Sequence, residues 1–334
     1  MVLLVGLICL LGYSMVFLPN TNAKENIIFK IHSQPETESY DMILQHLKSD
    51  KILKSSLSFD VLAKVLHYPK KVKPGLYTIK PGMSNIDIVR MLRGGHQTPV
   101  VLRLHSIRTI QEACGKISHS LEIDSASLYA YLLDSSFLRK NTFTKENISA
   151  MFIPNSYEFY WNTSTENFVK RMKSEYDRFW NPKRLSQAEK LGLTPVEVSV
   201  LASIVQAEQQ MHPDERPRIA GLYLNRLSDG MKLESDPTLI FALNDYSIRR
   251  VLKIHKEVES PYNTYKNFGL PPGPILIPDV SSIDAVLNAE SHNYIFMCAK
   301  EDFSNYHNFA VDYSTHQDNA ALFQAALNKK KIFH

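Results

Sequence analysis

The chain opens with an apolar stretch, residues 2–18, that contains no charged side chain. A helix of this length just spans the hydrocarbon core of a bilayer, so the pattern predicts a transmembrane anchor at residues 1–19. Thr21-Asn22-Ala23 resembles a signal-peptidase cleavage site, and a cleaved signal peptide is the alternative. Both interpretations place the rest of the chain outside the cytoplasm.

Short alternating segments follow between residues 24 and 97. Residues 76–79 have the pattern of a strand, and Ser84 with Asp87 has that of a capping box at the start of a helix. Gly94-Gly95 then ends this helix. The segment is predicted to form a small α+β module, which is either a carbohydrate-binding module or a packing element.

Four aromatic residues lie close together in the middle of the chain: Tyr157, Phe159, Tyr160 and Trp161. Aromatic rings can stack on sugar faces, but they also fill hydrophobic cores. The sequence leaves both interpretations open.

A well-defined helix start lies at Thr194. Thr is a good N-cap, Pro195 suits the first helical position, and Glu197 completes a capping box. A helix is therefore predicted from this point.

Glu208 has an unusual position on this helix. Leu201, Ile204, Val205 and Glu208 fall at i, i+3, i+4 and i+7, so they share one face. Glu208 is thus predicted to project from the apolar side.

The rest of the chain mixes short helices and strands. Asp214 is predicted to cap a second helix and Asp236 a third, with Pro237 at the first position of that third helix. A strand is predicted at residues 294–299 and a terminal helix at residues 319–327. Elements in this order favour the α+β class over a doubly wound sheet.

Composition narrows the class of protein without naming a function. The 334 residues are 44% hydrophobic and 22% charged, which is typical of a globular protein. The net charge of +4 is mild and the basic residues are scattered, so nucleic-acid binding is not expected.

A carboxylate on an apolar helix face must find a partner or take up a proton. Burial raises the pKa of such a group toward neutrality, which suits a general acid for glycosidic cleavage. The alternative is a structural ion pair of Glu208 with Arg216, Arg218 or Arg226.

Two long motifs carry a resemblance to a known family. LASIVQAEQQMHPDERPRIAGLYLNRLSDGMKLESDPT and SPYNTYKNFGLPPGPI resemble the endolytic murein transglycosylases of the YceG-like type. Weaker similarity begins at KPGLYTIKPGMS and runs to about Ala320. The resemblance implies a LysM-like module at residues 24–97 and a YceG-like α+β catalytic domain at residues 98–334.

The resemblance also implies an activity. Members cleave the MurNAc-β-1,4-GlcNAc bond within peptidoglycan strands and leave 1,6-anhydroMurNAc ends. They are single-pass proteins of the bacterial inner membrane that act in the periplasm near peptidoglycan synthases. No metal or cofactor is implied.

The family's catalytic glutamate is the second of two in its Ser-Ile-Val/Ile-Glu-x-Glu motif. That residue is present here as Glu208, while Gln206 replaces the first glutamate. Glu208 is therefore expected to act first as the general acid and then as the base. Position 206 lies about 200° around a helix from Glu208 and points elsewhere. Gln206 is therefore expected to lie next to the residues that contact the substrate and to support them.

Further site residues follow from the matched motifs. Amides, hydroxyls and aromatic rings suit sugar hydroxyls, N-acetyl groups and ring faces, although each such residue could equally join a loop to a helix. The expected substrate-binding residues, besides Gln206, are Asn225, Arg226, Asp236, Tyr262, Asn263, Thr264 and Tyr265. A less specific segment adds His307, Asn308 and Phe309.

Two other functions remain open from the sequence. A hydrolase would use Glu208 as the acid with Glu234 or Asp236 as the second carboxylate across a cleft. A wall-binding scaffold with a decayed site would hold Glu208 in an ion pair within a closed core.

Overall fold

The computed structural model describes residues 2–34, 39–248 and 250–330. Parts of the predicted anchor (residue 1), module (35–38) and catalytic domain (249 and 331–334) lie outside the described residues. The helices are α1 (Val2–Phe17), α2 (Tyr40–Ser49), α3 (Ser56–Val65), α4 (Asn85–Gly94), α5 (Ile110–Ser120), α6 (Ser125–Leu132), α7 (Ser135–Lys140), α8 (Thr165–Phe179), α9 (Pro182–Lys190), α10 (Pro195–Glu208), α11 (Arg216–Ser228), α12 (Asp236–Leu243), α13 (Val280–Leu287) and α14 (Tyr313–Lys329).

The strands are few and short. They form three two-stranded sheets, β1 (Ile27–Ile31) with β2 (Gly75–Ile79), β3 (Val100–Arg103) with β4 (Ser156–Phe159), and β5 (Phe296–Ala299) with β6 (His307–Ala310). This mixture of helices and small sheets confirms the predicted α+β class.

The chain divides into two compact units. The first comprises Met1–Leu102, Lys116–Asp124 and Tyr157–Thr165, and the second comprises Arg103–Gly115, Ser125–Ser156 and Glu166–His334. The first division lies near the predicted boundary at residues 97 and 98, but two later segments return to the first unit. The LysM-like assignment and the predicted domain limits stay predictions.

The core of the first unit is built around the β1–β2 pair. The two strands are antiparallel, with Ile27 opposite Ile79 and Ile31 opposite Gly75. Ile31, Tyr77 and the helical residues Ile43 and Leu92 are fully buried in one hydrophobic cluster. The core thus draws on both strands and on α2 and α4.

Ser84 and Asp87 form the predicted capping box of α4.

The four aromatic residues between positions 157 and 161 differ in their exposure. Tyr157, Phe159 and Trp161 are buried, whereas Tyr160 is 56% exposed. Three of the four aromatic rings are therefore core residues.

The predicted anchor segment forms α1, a helix of 16 residues. Within the described ranges, no helix has both the length and the hydropathy for crossing a membrane. The anchor predicted at residues 1–19 is thus not confirmed.

The second unit is organised around α10. Every residue of this helix from Val198 to Val205 is buried. The predicted capping box of Thr194 and Glu197 is present, and the helix ends at Glu208. Helices α9, α11, α12 and α13 all contact it.

Two predicted helix starts need correction. Asp214 does not cap α11, because a 3-10 turn at Pro213–Glu215 leads directly into that helix without a side-chain cap. The N-cap of α12 is Ser235, and Asp236 is the first helical residue. The β5–β6 hairpin follows later in the chain, with Ala299 opposite His307.

A buried polar cluster around Asn85 holds the C-terminal end of α1. Asn85, which is 1% exposed, donates to the carbonyl of Met15 at 2.8 Å and accepts from Asn20 at 2.6 Å. Replacing Asn85 with Ala should lower the free energy of unfolding by about 2 kcal/mol, because buried partners lose their hydrogen bonds.

Urea unfolding measures this loss. Asn26→Ala is the matched control, since Asn26 is exposed in the same unit. Equal unfolding midpoints for the two variants would show that the buried cluster adds nothing to stability.

Candidate active site

Glu208 is the last residue of α10, where the buried helix meets a cavity. Leu201, Ile204 and Val205 on the same face are all 0% exposed. The helical period therefore places the carboxyl beside an apolar core, as predicted. The helix end leaves it open toward the cavity.

Two hydroxyl groups fix one oxygen of this carboxyl. Tyr223 on α11 donates to Oε1 of Glu208 at 2.8 Å, and Ser235 donates to the same oxygen at 2.5 Å. Oε2 has no hydrogen-bond partner among the described residues. Oε2 is thus the oxygen available for proton transfer.

Ser235 is itself held in place from behind. Its N–H donates to the hydroxyl of Thr264 at 3.0 Å, and Thr238 donates to its carbonyl at 2.7 Å. All three residues are buried. The position of the Ser235 hydroxyl therefore depends on α12 and on the loop that carries Thr264.

The cavity beside Glu208 has a volume of about 640 Å³. Its wall combines charged, polar and aromatic side chains with a few apolar ones. The lining residues are Glu208, Leu222, Tyr223, Arg226, Leu233, Glu234, Asp236, Lys256, Tyr265, Phe296, Met297, Cys298, Ala299, His307, Tyr313 and His316.

Burial raises the pKa of the Glu208 carboxyl above its usual value. The hydrogen bonds from Ser235 and Tyr223 lower the pKa in part, as does a positive charge on the His307 ring when that ring is protonated, while Asp236 raises it. Burial has the larger effect. The acid form of Glu208 thus persists to higher pH than that of an exposed glutamate.

The other charged groups on the wall are mostly paired. Arg226 donates to Glu234 at 2.6 Å, and Tyr265 donates to Asp236 at 2.6 Å. The ammonium of Lys256 lies 3.9 Å from the ring centroid of Tyr265. Glu208 has no ion pair within the described residues, so the predicted alternative with an arginine partner is not found.

Comparison with known proteins gives the family. The model of the YceG-like family matches residues 33–322. The chain belongs to this family.

Two relatives of this YceG-like chain are named endolytic murein transglycosylase. The Bacillus subtilis protein is 26% identical over 317 residues, which cover 90% of this chain and 86% of the relative. The Streptococcus pneumoniae D39 protein is 26% identical over 322 residues, 86% of this chain and 57% of the relative. The chain thus spans little more than half of the pneumococcal protein.

A solved structure is also similar. The crystal structure of a YceG-like protein from Listeria monocytogenes matches with a TM-score of 0.58 at 24% identity. The match covers 89% of this chain and 99% of that one. It supports the YceG-like fold.

Only some of the residues expected from the family motifs reach the cavity. Arg226, Asp236, Tyr265 and His307 line it together with Glu208. The nitrogen atoms of Arg226 donate to Lys232, Glu234 and Ile295, so this side chain also holds the wall together.

The other expected residues lie behind the site. Asn225 donates to the carbonyls of residues 292 and 294, and Asn263 donates to those of residues 256 and 258. Tyr262 contacts the carbonyl of Glu146, and Thr264 supports Ser235. These four side chains hold loops rather than line the cavity.

Asn308 and Phe309 complete the less specific segment. Asn308 donates to Glu301, and the ring of Phe309 lies 5.6 Å from that of Tyr294. Neither residue lines the cavity.

Gln206 lies away from the cavity. Its amide accepts from the N–H of Asp279 at 2.7 Å and from the hydroxyl of Ser282 at 2.9 Å. Its amide nitrogen donates to Oδ2 of Asp279 at 3.2 Å. Gln206 thus joins α10 to the start of α13, and the structure does not bring it to the expected substrate site.

Sequence reasoning missed Tyr223 and Ser235 as site residues. Tyr223 follows the apolar pattern of α11, and Ser235 has the pattern of a helix cap. No cluster of three or more metal-binding side chains occurs in the described part of the chain.

The raised pKa of Glu208 predicts a pH-dependent stability difference. The folded state binds this proton more tightly than the unfolded state, so wild-type stability falls as pH rises from the unfolded to the folded pKa. The Glu208→Gln variant lacks this carboxyl group and therefore this loss. The free energy of unfolding of the variant, relative to that of wild type, should increase between pH 5 and pH 8.

Urea unfolding at both pH values tests this prediction, with the exposed Glu189→Gln as control. A stability difference that does not depend on pH would contradict the raised pKa.

The hydroxyl groups of Tyr223 and Ser235 lower the pKa of Glu208 by donating to its carboxylate. Tyr223→Phe should raise the pKa of Glu208 further, because the ionised carboxylate loses a donor. Carboxyl ¹³C NMR would measure the pKa, with the signal assigned from Glu208→Gln.

Ser235→Ala should shift the pKa in the same direction. Tyr294→Phe is the matched control, since Tyr294 does not line the cavity. An unchanged or lower pKa in Tyr223→Phe would refute the role of its hydroxyl.

Proposed function

We propose that this protein is an endolytic peptidoglycan transglycosylase with Glu208 as its catalytic acid. The observation that carries the proposal is a carboxyl group on the wall of an open, polar cavity. Burial raises its pKa, and its Oε2 has no hydrogen-bond partner among the described residues. The names of two relatives and membership of the YceG-like family support the same activity.

The reaction begins with proton donation. Oε2 of Glu208 protonates the glycosidic oxygen between MurNAc and GlcNAc as the C1–O bond breaks. The substrate's acetamido group stabilises the oxocarbenium-like centre, as in substrate-assisted glycosidases. The MurNAc 6-oxygen then closes onto C1, and the proton that it releases restores the acid form of Glu208.

The cavity wall suits a glycan. Tyr265, Phe296 and Tyr313 offer aromatic faces for sugar rings, while Asp236 and Arg226 offer polar groups for hydroxyls and N-acetyl groups. A volume of about 640 Å³ falls in the range of ligand sites. The substrate places the catalytic unit outside the cytoplasm, near the synthases that make the strands.

A two-carboxylate hydrolase is the second candidate. Asp236 lines the same cavity as Glu208 and carries no ion pair within the described residues. It could activate a water in place of the 6-hydroxyl. The decayed scaffold is less well supported, because Glu208 opens on a cavity and not on a closed core.

The product separates the two reactions. Purified glycan strands should yield new ends lighter by one water than reducing ends, because the 6-oxygen and not water attacks C1. Mass analysis after cleavage in ¹⁸O-labelled water should find no label on the new MurNAc end, whereas label there would establish a hydrolase.

Glu208→Gln should fold and lose cleavage, because an amide cannot donate the required proton. Glu189→Gln is the matched control and should cleave at the wild-type rate. Unchanged activity of Glu208→Gln would remove Glu208 from the mechanism.

A further inference from the structure

A carboxylate–imidazole pair joins the 3-10 turn before α11 to strand β6 in the second unit. Glu215 ends the 3-10 turn before α11 and is 5% exposed. One of its oxygens accepts from the backbone N–H of His307 at 2.9 Å, and the other contacts Nδ1 of His307 at 2.7 Å. Gln209 donates to that second oxygen at 2.6 Å.

These contacts determine which ring nitrogen carries the proton. Burial alone would raise the pKa of Glu215, but the hydrogen bonds from His307 and Gln209 lower it below the usual value. An ionised carboxylate only accepts hydrogen bonds, so Nδ1 of His307 carries a proton. The lone pair of the neutral ring is then on Nε2.

Nε2 of His307 is left for the cavity. It has no hydrogen-bond partner among the described residues, and His307 lines the same cavity as Glu208. The two side chains are close enough for an imidazolium charge to affect the Glu208 carboxyl. The cavity wall therefore carries a carboxyl group and an imidazole on separate elements.

The hydrogen bonds that Oε1 of Glu208 accepts favour a role for the His307 imidazole in one of the two proton transfers. Oε1 already accepts from Tyr223 and Ser235, so a lone Glu208 would have to use Oε2 for both proton transfers. The glycosidic oxygen and the 6-hydroxyl are different atoms of the substrate. A base elsewhere on the wall lets each transfer use its own acceptor or donor.

We infer that His307, oriented by Glu215, is the base that takes the proton of the MurNAc 6-hydroxyl and returns it to Glu208. This role rests on the proposed transglycosylase function. His307 acts as a catalytic residue and Glu215 as a positioning residue.

The step balances. Oε2 of Glu208 gives its proton to the glycosidic oxygen, and the C1–O bond breaks. The 6-oxygen forms a bond to C1 and loses its proton to Nε2 of His307. One proton then passes from the imidazolium to the Glu208 carboxylate, directly or through water, and both groups regain their starting states.

Several other titratable groups share this environment. Besides Glu208, the titratable and charged groups of the cavity wall are Tyr223 and Arg226 from α11, Glu234 and Asp236 at the start of α12, Lys256 and Tyr265 from the segment between α12 and α13, Cys298 from β5, and Tyr313 and His316 from α14. His316 is the second histidine of the wall, and its ring stacks on Phe296, with no carboxylate partner in the part of the chain that the structure describes. It provides a matched control.

The test is the pH profile for release of 1,6-anhydro ends by the full chain. Wild type should lose activity at low pH, because a protonated imidazole cannot act as a base. His307→Gln should be about a hundredfold slower and lack this acidic limb. Glu215→Gln should weaken this limb as well, because an amide group can donate to Nδ1 of His307 and leave the ring proton on Nε2. His316→Gln should keep the acidic limb.

The outcomes are distinguishable. An acidic limb that persists in His307→Gln would overturn the base and leave the transglycosylase function standing. If wild type released no 1,6-anhydro ends at any pH, the proposed function would fail, and the role of His307 with it. Circular dichroism would confirm that each variant is folded.

Discussion

The site depends on one oxygen atom, Oε1 of Glu208, which accepts hydrogen bonds from Tyr223 and Ser235. These two donors come from α11 and from the N-cap of α12, while Glu208 ends α10. A buried carboxyl is costly unless it is hydrogen-bonded. The two donors offset part of that cost and orient Oε2 toward the cavity.

A further layer of contacts keeps these donors in place. Thr264 and Thr238 bind the backbone of Ser235. Glu234, just before it, has a positive φ of 53° that is unfavourable for a side chain, and its ion pair with Arg226 holds it there. Polar residues near the site thus hold the backbone in place as well as line the cavity.

Features within one helix or strand could be predicted from the sequence, whereas contacts between elements distant in the chain could not. The capping boxes at Ser84 and Thr194 and the apolar face that carries Glu208 depend only on local spacing, and all are present. Glu215 and His307 are 92 positions apart, and no periodicity links them.

The same limit explains the missed and misplaced site residues. A tyrosine on an apolar helix face looks like a core residue, so Tyr223 was indistinguishable from Leu222 before the helices were assembled. Asn263 and Thr264 carry groups that suit sugars, but both are buried against backbone groups. Residue type alone does not show whether a polar group faces a ligand or the protein.

Position 206 shows why a departure from the family motif need not disturb the site. Gln206 both accepts from the N–H of Asp279 and donates to its carboxylate. The glutamate of the family motif could accept but not donate, and its charge would oppose that of Asp279. Glutamine therefore matches Asp279 in this chain. Because these contacts lie between α10 and α13, the substitution leaves Glu208 with its two donors and its cavity.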